Sequence, residues 1–355
     1  MFNKEKIQSS LFGVVGFNDS FNPDYQILDT ANQESRSGYF ATDNSLVSVE
    51  LLLENQEYAE INDTDFNITL KRLQESSIAS VCNEVFNRPS YRERNPLYQW
   101  ANNKITTETL PDGFIGVEIQ PSQAKNLGFK ISRVLLDFSG TGDIELRLYN
   151  SAKFDPLFTK NVSITSERQE VDLNWVINNT DLDFKGKYYL GYVVNQSVLP
   201  FKLNYENSSL KTNYKDLCVQ EIIVKGYSGI NIFNLKEVEN TSLSTGLNPD
   251  ITVFDDYTDL IIQNEMLFAR AINLDLQIRC LRLIADSIRS NRDQRKGEEK
   301  TIRILQEIEG QSGDGLVTVT GLLPSRITEI ASLRKEIKKL IEGYFGSKII
   351  VNTLW

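Results

Sequence analysis

DDYTDLIIQNEMLFARAINLDLQIRCLRLIADSIRSNRDQRK, residues 255–296, is the stretch on which the fold prediction rests. A row of leucine and isoleucine recurs every seven residues, and a second row is offset from it by four. The first row comprises Leu260, Leu267, Leu274, Leu281 and Ile288, and the second comprises Asn264, Ala271, Ile278 and Ala285. These are the d and a rows of a heptad repeat. The pattern therefore predicts one long helix over 256–296.

The charges at the two ends of this stretch also suit a helix. Acidic residues open it at Asp255, Asp256 and Asp259, and basic residues close it within 289–296, which matches the helix dipole at both ends. A third apolar row widens the buried face, and a helix this apolar packs against several neighbours. That row comprises Ile262, Ala269, Leu276 and Leu283. We therefore predict that the heptad rows form a packing and assembly face.

Two residues of the heptad rows carry specific expectations. Asn264 is a polar residue in the a row, where a buried asparagine fixes the register of a coiled coil. We therefore expect Asn264 to find a hydrogen-bond partner within a helical bundle. Leu274 lies near the middle of the predicted helix, where fraying cannot relieve a cavity, so Leu274→Ala is expected to cost about 2 to 5 kcal/mol.

In residues 110–235 the apolar residues recur at every second position, as in a strand, and no longer at the spacing of a helix. Alternating apolar residues occupy 115–119, 134–138 and 144–148, and the Gly-rich turn at 139–143 predicts that the last two form a hairpin. Short strands about 10 to 15 residues apart, with no helical period between them, predict an antiparallel β-sandwich, most simply a jelly roll. The polar stretch 236–250 is predicted to be a linker.

The remaining segments are predicted to be mixed or helical. Residues 1–105 form an N-terminal α+β segment in this interpretation, with a strand over 46–53 and a helix over 63–87 that ends before Pro89. Residues 251–355 form a C-terminal helical region that contains the long helix. The predicted fold class is therefore α+β and multidomain, with a central jelly-roll-like antiparallel β-sandwich between an N-terminal α/β segment and a C-terminal helical bundle.

Composition excludes several classes of site. The chain has 355 residues and no histidine, so a Ser-His-Asp triad, a Cys-His dyad and a His-ligated zinc site are excluded within it. The formal net charge of −10 argues against nucleic acid as a partner. The three cysteines, Cys82, Cys218 and Cys280, show no paired spacing, which favours reduced thiols. We also expect no signal peptide and no membrane span.

Five groups of residues have a functional interpretation beside a plain structural one. They are the carboxylates Glu167, Glu170, Asp181 and Asp183; the aromatic and arginine-rich loop 91–100; the tyrosine-rich strand 188–192; the basic row Arg279, Arg282, Arg289, Arg292, Arg295 and Lys296; and Asp314 between glycines. No spacing singles out a carboxylate pair for glycoside hydrolysis, and the other carboxylates of a calcium loop are missing around Asp314. Solvated loops, core packing and intrahelical ion pairs account for all five groups. We therefore predict no catalytic, cofactor-binding or metal-binding residues, and no cofactor.

Three segments together resemble a known class of protein. They are Phe12–Phe17 leading to Ile27–Asp29, Lys187–Tyr192, and Asp256–Ile262 leading to Ser290–Arg295. In this order they look like structural proteins of tailed bacteriophages that infect Bacteroidetes, the crAss-like phages among them. The resemblance covers most of the chain, and its last motif is the most specific. It implies a virion component of the neck, tail or baseplate and assigns no catalytic residue.

These observations lead to one principal prediction and two alternatives. The principal prediction is a non-enzymatic virion protein, made in the host cytoplasm, whose amphipathic helices bind copies of itself and other virion proteins. One alternative is an adsorption protein whose β-sandwich binds the host surface or a glycan. The other is a depolymerase that uses paired carboxylates, for which the sequence offers no site.

Overall fold

The computed structural model describes residues 2–20, 22, 26–57, 63–86, 91–96, 104–122, 127–152, 155–178, 186–203, 216–225, 238–288, 294–312 and 318–345. The chain divides into two units. The middle of the chain, Pro89–Tyr257, forms one, which we call the two-sheet unit. The two ends, Phe2–Arg88 and Thr258–Trp355, form the other, which we call the helical unit. The fold is thus mixed, with antiparallel sheets in the middle and helices towards the C-terminus.

The two-sheet unit contains two six-stranded sheets in which every strand pair is antiparallel. Sheet one, in hydrogen-bonded order, is β13 (Val238–Asn240), β12 (Leu217–Lys225), β5 (Gly113–Pro121), β10 (Tyr188–Val193), β7 (Gly142–Asn150) and β8 (Phe158–Ile164). Sheet two is β3 (Tyr91–Pro96), β14 (Leu247–Asp255), β6 (Leu127–Ser139), β11 (Leu199–Leu203) and β4 (Lys104–Thr107), with β9 (Arg168–Ile177) also paired to β6.

One apolar core joins the two sheets. Alternation along each strand places every second side chain on its inner face, and the inner faces of both sheets belong to a single buried cluster. Edge-to-face aromatic pairs cross between the sheets: the ring centroids of Phe129 and Tyr188 are 5.1 Å apart, and those of Phe138 and Tyr192 are 5.3 Å apart. The apolar residues at every second position of the sequence are therefore the ones that form this shared core.

The predicted hairpin around 139–143 is wrong. β6 and β7 lie in different sheets, so the turn between them carries the chain from sheet two to sheet one. Both Gly140 (φ 82°) and Gly142 (φ 157°) adopt backbone conformations that suit glycine at this crossing. Alternation identifies the buried face of each strand but not its hydrogen-bonded partner, which is why the pattern suggested a hairpin.

The predicted linker at 236–250 also differs from the structure. Val238–Asn240 forms β13, and β14 begins at Leu247 and continues to Asp255, inside the range predicted to be helical. β14 is buried along its whole length between β3 and β6. Its sequence contains Pro249, which usually argues against a central strand. Pro249 lies beyond the last pair with β3, Asp250 with Pro96, so β14 has only β6 beside it at that point.

The helical unit contains seven α-helices in the described ranges. They are α1 (Lys4–Leu11), α2 (Val49–Glu57), α3 (Asp63–Val85), α4 (Thr258–Gln263), α5 (Glu265–Ile288), α6 (Gln294–Glu309) and α7 (Leu322–Phe345). Two short strand pairs accompany them, the parallel β1 (Val15–Gly16) with β2 (Tyr39–Phe40) and the antiparallel β15 (Gly310–Ser312) with β16 (Thr318–Thr320). Helix α5 is central and contacts α2, α3, α6 and α7. No helix in the described ranges has both the length and the apolar character that crossing a membrane requires.

The predicted strand at 46–53 is instead the start of α2. Ser48 caps this helix, because its Oγ accepts a hydrogen bond from the Leu51 N–H at 3.2 Å and its carbonyl accepts one from the Leu52 N–H. After Val49, the helix consists of leucine, glutamate, asparagine and glutamine, mostly strong helix formers. The alternating apolar residues of 47–53 are thus too few to outweigh the cap and helix propensity.

Two of the three cysteines are enclosed in the helical unit. Cys82 on α3 and Cys280 on α5 are fully buried free thiols, and Cys218 on β12 is exposed. Burial raises the pKa of the Cys82 thiol from 9.0 to about 12. Burial also raises the pKa of the Cys280 thiol to about 12, against a backbone hydrogen bond that lowers it. Both thiols therefore stay protonated in the folded unit at pH values where an unfolded chain ionises them.

We predict an alkaline loss of stability in the helical unit. Because the folded pKa values are raised, the stabilisation is complete below pH 9 and disappears as pH rises towards 12. Between pH 8 and pH 10 the free energy of unfolding should fall by roughly 1.4 kcal/mol per buried thiol. Urea unfolding at both pH values tests this, with Cys82→Ala and Cys280→Ala each reducing the pH dependence. The exposed control, Cys218→Ala, should leave it unchanged; equal slopes in all three variants would contradict the assignment.

Candidate functional site

The predicted helix face lies mostly inside the helical unit. In the a row, Ala271, Ile278 and Ala285 are buried, and in the d row Leu260 and Leu281 are buried. Leu274 is half-buried, and the side chain of Ile288 lies outside the described part of the structure. Because α5 contacts four other helices of its own chain, these residues pack within one protomer. An assembly surface therefore has to use other side chains of this unit.

The predicted continuous helix over 256–296 is broken once within the described residues. Asn264 separates α4 from α5, and 289–293 fall outside the described residues between α5 and α6. The Asn264 side chain donates a hydrogen bond to the Leu260 carbonyl at 2.8 Å, within its own segment and not across a bundle. After the break, Leu267 in the first turn of α5 is 37% exposed, not buried as predicted.

An ionic cluster, buried at Arg326 and Asp275 and partly exposed at Glu84, joins α3, α5 and α7. The Arg326 guanidinium binds Asp275 Oδ1 through Nε at 2.7 Å and Glu84 Oε1 through Nη2 at 2.5 Å. Ser80 Oγ accepts a further hydrogen bond from Arg326 at 3.1 Å. Burial acts to lower the pKa of Arg326, but the hydrogen bonds and charges of Glu84 and Asp275 outweigh it and raise that pKa above its ordinary value. We call these four residues, Arg326, Asp275, Glu84 and Ser80, the ionic cluster.

The basic row near the end of α5 does not form a described patch. Arg279 pairs with Asp275 four residues earlier at 2.5 Å, as predicted for an intrahelical pair, but Asp275 is buried and not on a wet face. Arg282 is exposed. The side chains of Arg289, Arg292, Arg295 and Lys296 lie outside the described part of the structure.

The other sequence candidates do not converge on a site. Tyr91–Pro96 forms β3 and not a loop, and Arg92 binds Asp255 at 2.6 Å and Asp216 at 3.3 Å. Glu170 pairs with Arg133, and both side chains are more than two-fifths exposed. Asp181, Asp183, Asp314 and residues 97–100 lie outside the described residues. In the described ranges, no three cysteine or carboxylate groups are close enough to hold a metal ion.

The outer face of sheet one carries the most developed site. Cross-strand register places Gln220 beside Glu118, Glu118 beside Tyr189, and Tyr189 beside Tyr149, so one row of side chains spans β12, β5, β10 and β7. Tyr188 and Tyr192 point to the opposite face and belong to the core between the sheets. The strand parity predicted from the sequence, with only one or two tyrosines available to the outer side, agrees with this arrangement.

A pocket of about 570 Å³ opens on this row, and we call it the sheet-one pocket. Its lining is largely polar. The lining residues are Glu118, Gln120, Ser151, Gly186, Lys187, Tyr189, Gln220, Val238 and Asn240. The volume falls within the usual range of ligand sites, about 300 to 1,000 Å³.

The acidic group of the pocket is held by two neighbours. Glu118 is only 2% exposed, and its Oε1 lies 2.9 Å from Lys187 Nζ. The same oxygen accepts a hydrogen bond from Gln220 Nε2 at 2.8 Å. Lys187 is fixed in turn by its backbone N–H, which donates to Ser151 Oγ at 2.9 Å. The carboxylate is therefore charge-balanced and oriented before any ligand arrives.

Tyr189 is the unusual member of the pocket. Its side chain is fully buried, and its hydroxyl has no hydrogen-bond partner among the described residues. Burial, with a smaller contribution from the charge of Glu118, raises the pKa of this phenol from 10.0 to about 12. An enclosed hydroxyl without a partner is costly, since it loses its bonds to water and gains nothing in exchange.

Sequence reasoning missed this pocket for a physical reason. Its residues come from four strands and the segments beside them, spread from 118 to 240, and most of them are polar residues of a kind common on the outer side of a sheet. The one usable signal was Tyr189, whose parity opposes that of Tyr188. Comparisons of the whole chain with protein-family models, with curated proteins and with solved structures gave no match.

Proposed function

We propose that this protein is a non-enzymatic structural component of a tailed-phage virion, placed in the neck, tail or baseplate. In this proposal the helical unit binds other copies of the same chain and other virion proteins. The phage-like motifs support it, and so does the absence of histidine, which removes the commonest catalytic base.

The outward face of α6 is the observation that carries the assembly proposal. Ile304 and Ile308 are buried against the helical unit, whereas Ile302 and Leu305, three residues apart on another face, are 54% and 37% exposed. An amphipathic helix normally presents polar residues to water. Neighbouring exposed apolar side chains on a helix are typical of an interface with another subunit. We assign a second copy of this chain as the partner of this face.

A matched pair of aspartate substitutions on α6 tests the assignment. Ile302→Asp should weaken self-association roughly tenfold or more, because it places a carboxylate in an apolar contact. Arg303→Asp places a carboxylate at another exposed position of α6, about 100° around the helix from Ile302 and about 160° from Leu305, and should leave association unchanged. Native mass spectrometry over a concentration series measures both. A wild-type chain that stays monomeric at high concentration and is missing from purified particles of the encoding phage would refute the proposal.

We also propose an alternative function, adsorption to a host-surface glycan through the two-sheet unit. The sheet-one pocket is the observation that favours it. We further propose a jelly-roll form for this unit, since most connections from β5 to β12 pass from one sheet to the other, as in double-sheet jelly rolls.

A further inference from the structure

We propose that the sheet-one pocket binds a neutral saccharide, and that the buried Tyr189 hydroxyl donates or accepts a hydrogen bond to one of its hydroxyl groups. The inference deepens the adsorption alternative and does not depend on assembly through α6. Its starting point is a built cavity with a fully buried polar group that lacks a partner among the described residues.

The charge of the lining selects against ionic ligands. Glu118 and Lys187 are the charged residues of the described lining, and they neutralise each other at 2.9 Å. An anionic ligand would have to face the Glu118 carboxylate or displace it from Lys187, and a cation would have to compete with Lys187 for Glu118. Either exchange breaks a charge-assisted contact. A neutral ligand leaves the pair intact.

The remaining polar groups suit hydroxyl-rich molecules. Gln120, Gln220 and Asn240 each carry an amide that donates and accepts, and Gln220 spends only one of its N–H groups on Glu118. Saccharide hydroxyls also donate and accept, so they pair with amides in either direction. The volume of about 570 Å³ accommodates about one or two sugar rings.

Tyr189 supplies the group that distinguishes a ligand site from a solvated hollow. Its neighbour Tyr149 lies in the same cross-strand row, but the Tyr149 hydroxyl already accepts a hydrogen bond from Arg147 at 3.2 Å. Tyr149 does not line the pocket. Two tyrosines on one face thus differ in the two properties that matter, access to the pocket and hydrogen-bond satisfaction, and they form a natural test pair.

The test uses the full chain and a defined saccharide panel. Saturation-transfer NMR followed by calorimetry would compare glucose, galactose, fucose, N-acetylglucosamine and their β-linked disaccharides with glucuronic acid and N-acetylneuraminic acid. We expect at least one neutral saccharide to bind with a Kd of about 1 mM or tighter. The acids should bind at least tenfold more weakly. Tyr189→Phe should weaken binding of that neutral saccharide about tenfold, and Tyr149→Phe should leave it unchanged.

A second variant, Asn240→Ala, tests the same pocket if Tyr189→Phe perturbs folding. Asn240→Ala lies at the exposed end of β13, where substitutions rarely disturb the fold, and it should weaken binding severalfold. The inference is overturned by no binding of any neutral saccharide at about 10 mM, by preference for the acids, or by an unchanged Kd in Asn240→Ala and in folded Tyr189→Phe. Self-association measured on the same samples separates such a failure from failure of the assembly proposal.

Discussion

Arg326→Ala is expected to destabilise the helical unit by about 3 to 5 kcal/mol, the usual cost of removing one partner from a buried ion pair. The substitution leaves Asp275 buried with only Arg279 as its cation, and it removes the contacts of Glu84 and Ser80. It also removes the polar contact that joins α7 to α3 and α5. Urea unfolding followed by helical circular dichroism measures the loss.

A second ion pair between α5 and α7 provides the control. Arg270 on α5 lies 3.5 Å from Glu329 on α7, but the Arg270 side chain is 64% exposed. Water screens such a pair, so Arg270→Ala should cost at most about 1 kcal/mol. Similar losses in Arg270→Ala and Arg326→Ala would show that the ionic cluster contributes no more than a surface pair.

Leu281→Ala is expected to cost about 2 to 5 kcal/mol, because Leu281 is fully buried in the C-terminal half of α5. Leu267 belongs to the same predicted heptad row, yet it is 37% exposed beyond the break at Asn264. Leu267→Ala should therefore cost less than about 1 kcal/mol. The heptad pattern alone assigns the two leucines equal effects, and it assigned the large effect to Leu274, which is only half-buried.

Chemical denaturation of the two alanine variants separates these expectations. Equal losses would support one continuous buried row through Asn264. A small loss in Leu281→Ala would mean that the core around α5 closes over the cavity, since the cost of such a substitution depends on how well the site can collapse. Both variants lie in α5, so differences in helix propensity cancel between them.

Local patterns predicted much of the secondary structure but less of its arrangement. The alternation in 115–119 and 134–138 lies within β5 and β6, because one face of each strand is buried in a common core. Alternation does not show which strands pair. The turn at 139–143 illustrates this, because it joins two strands that lie in different sheets. β14 was missed because its proline and its buried Asp250 resemble a turn; the acid is tolerated since Arg133 binds it at 3.2 Å.

The candidate site was less predictable than the fold. A pocket on the outer face of a sheet depends on strand order, and here β12, β5 and β10 are neighbours although they are distant in sequence. The burial of Asp275 was equally hidden, since its partner Arg326 lies on another helix 51 residues away. Sequence periodicity describes one element at a time, whereas both sites arise between elements.

The division of the chain has a consequence for synthesis. Pro89–Tyr257 interrupts the helical unit, so α1 and α3 leave the ribosome long before α5 and α7, on which that unit depends. At roughly 5–20 residues per second, the inserted residues emerge over about ten to thirty seconds. The inserted unit is closed by its own first and last strands, since Tyr91 pairs with Phe254. It can therefore fold during translation, while the apolar faces of the N-terminal helices stay uncovered until α5 and α7 have been synthesised.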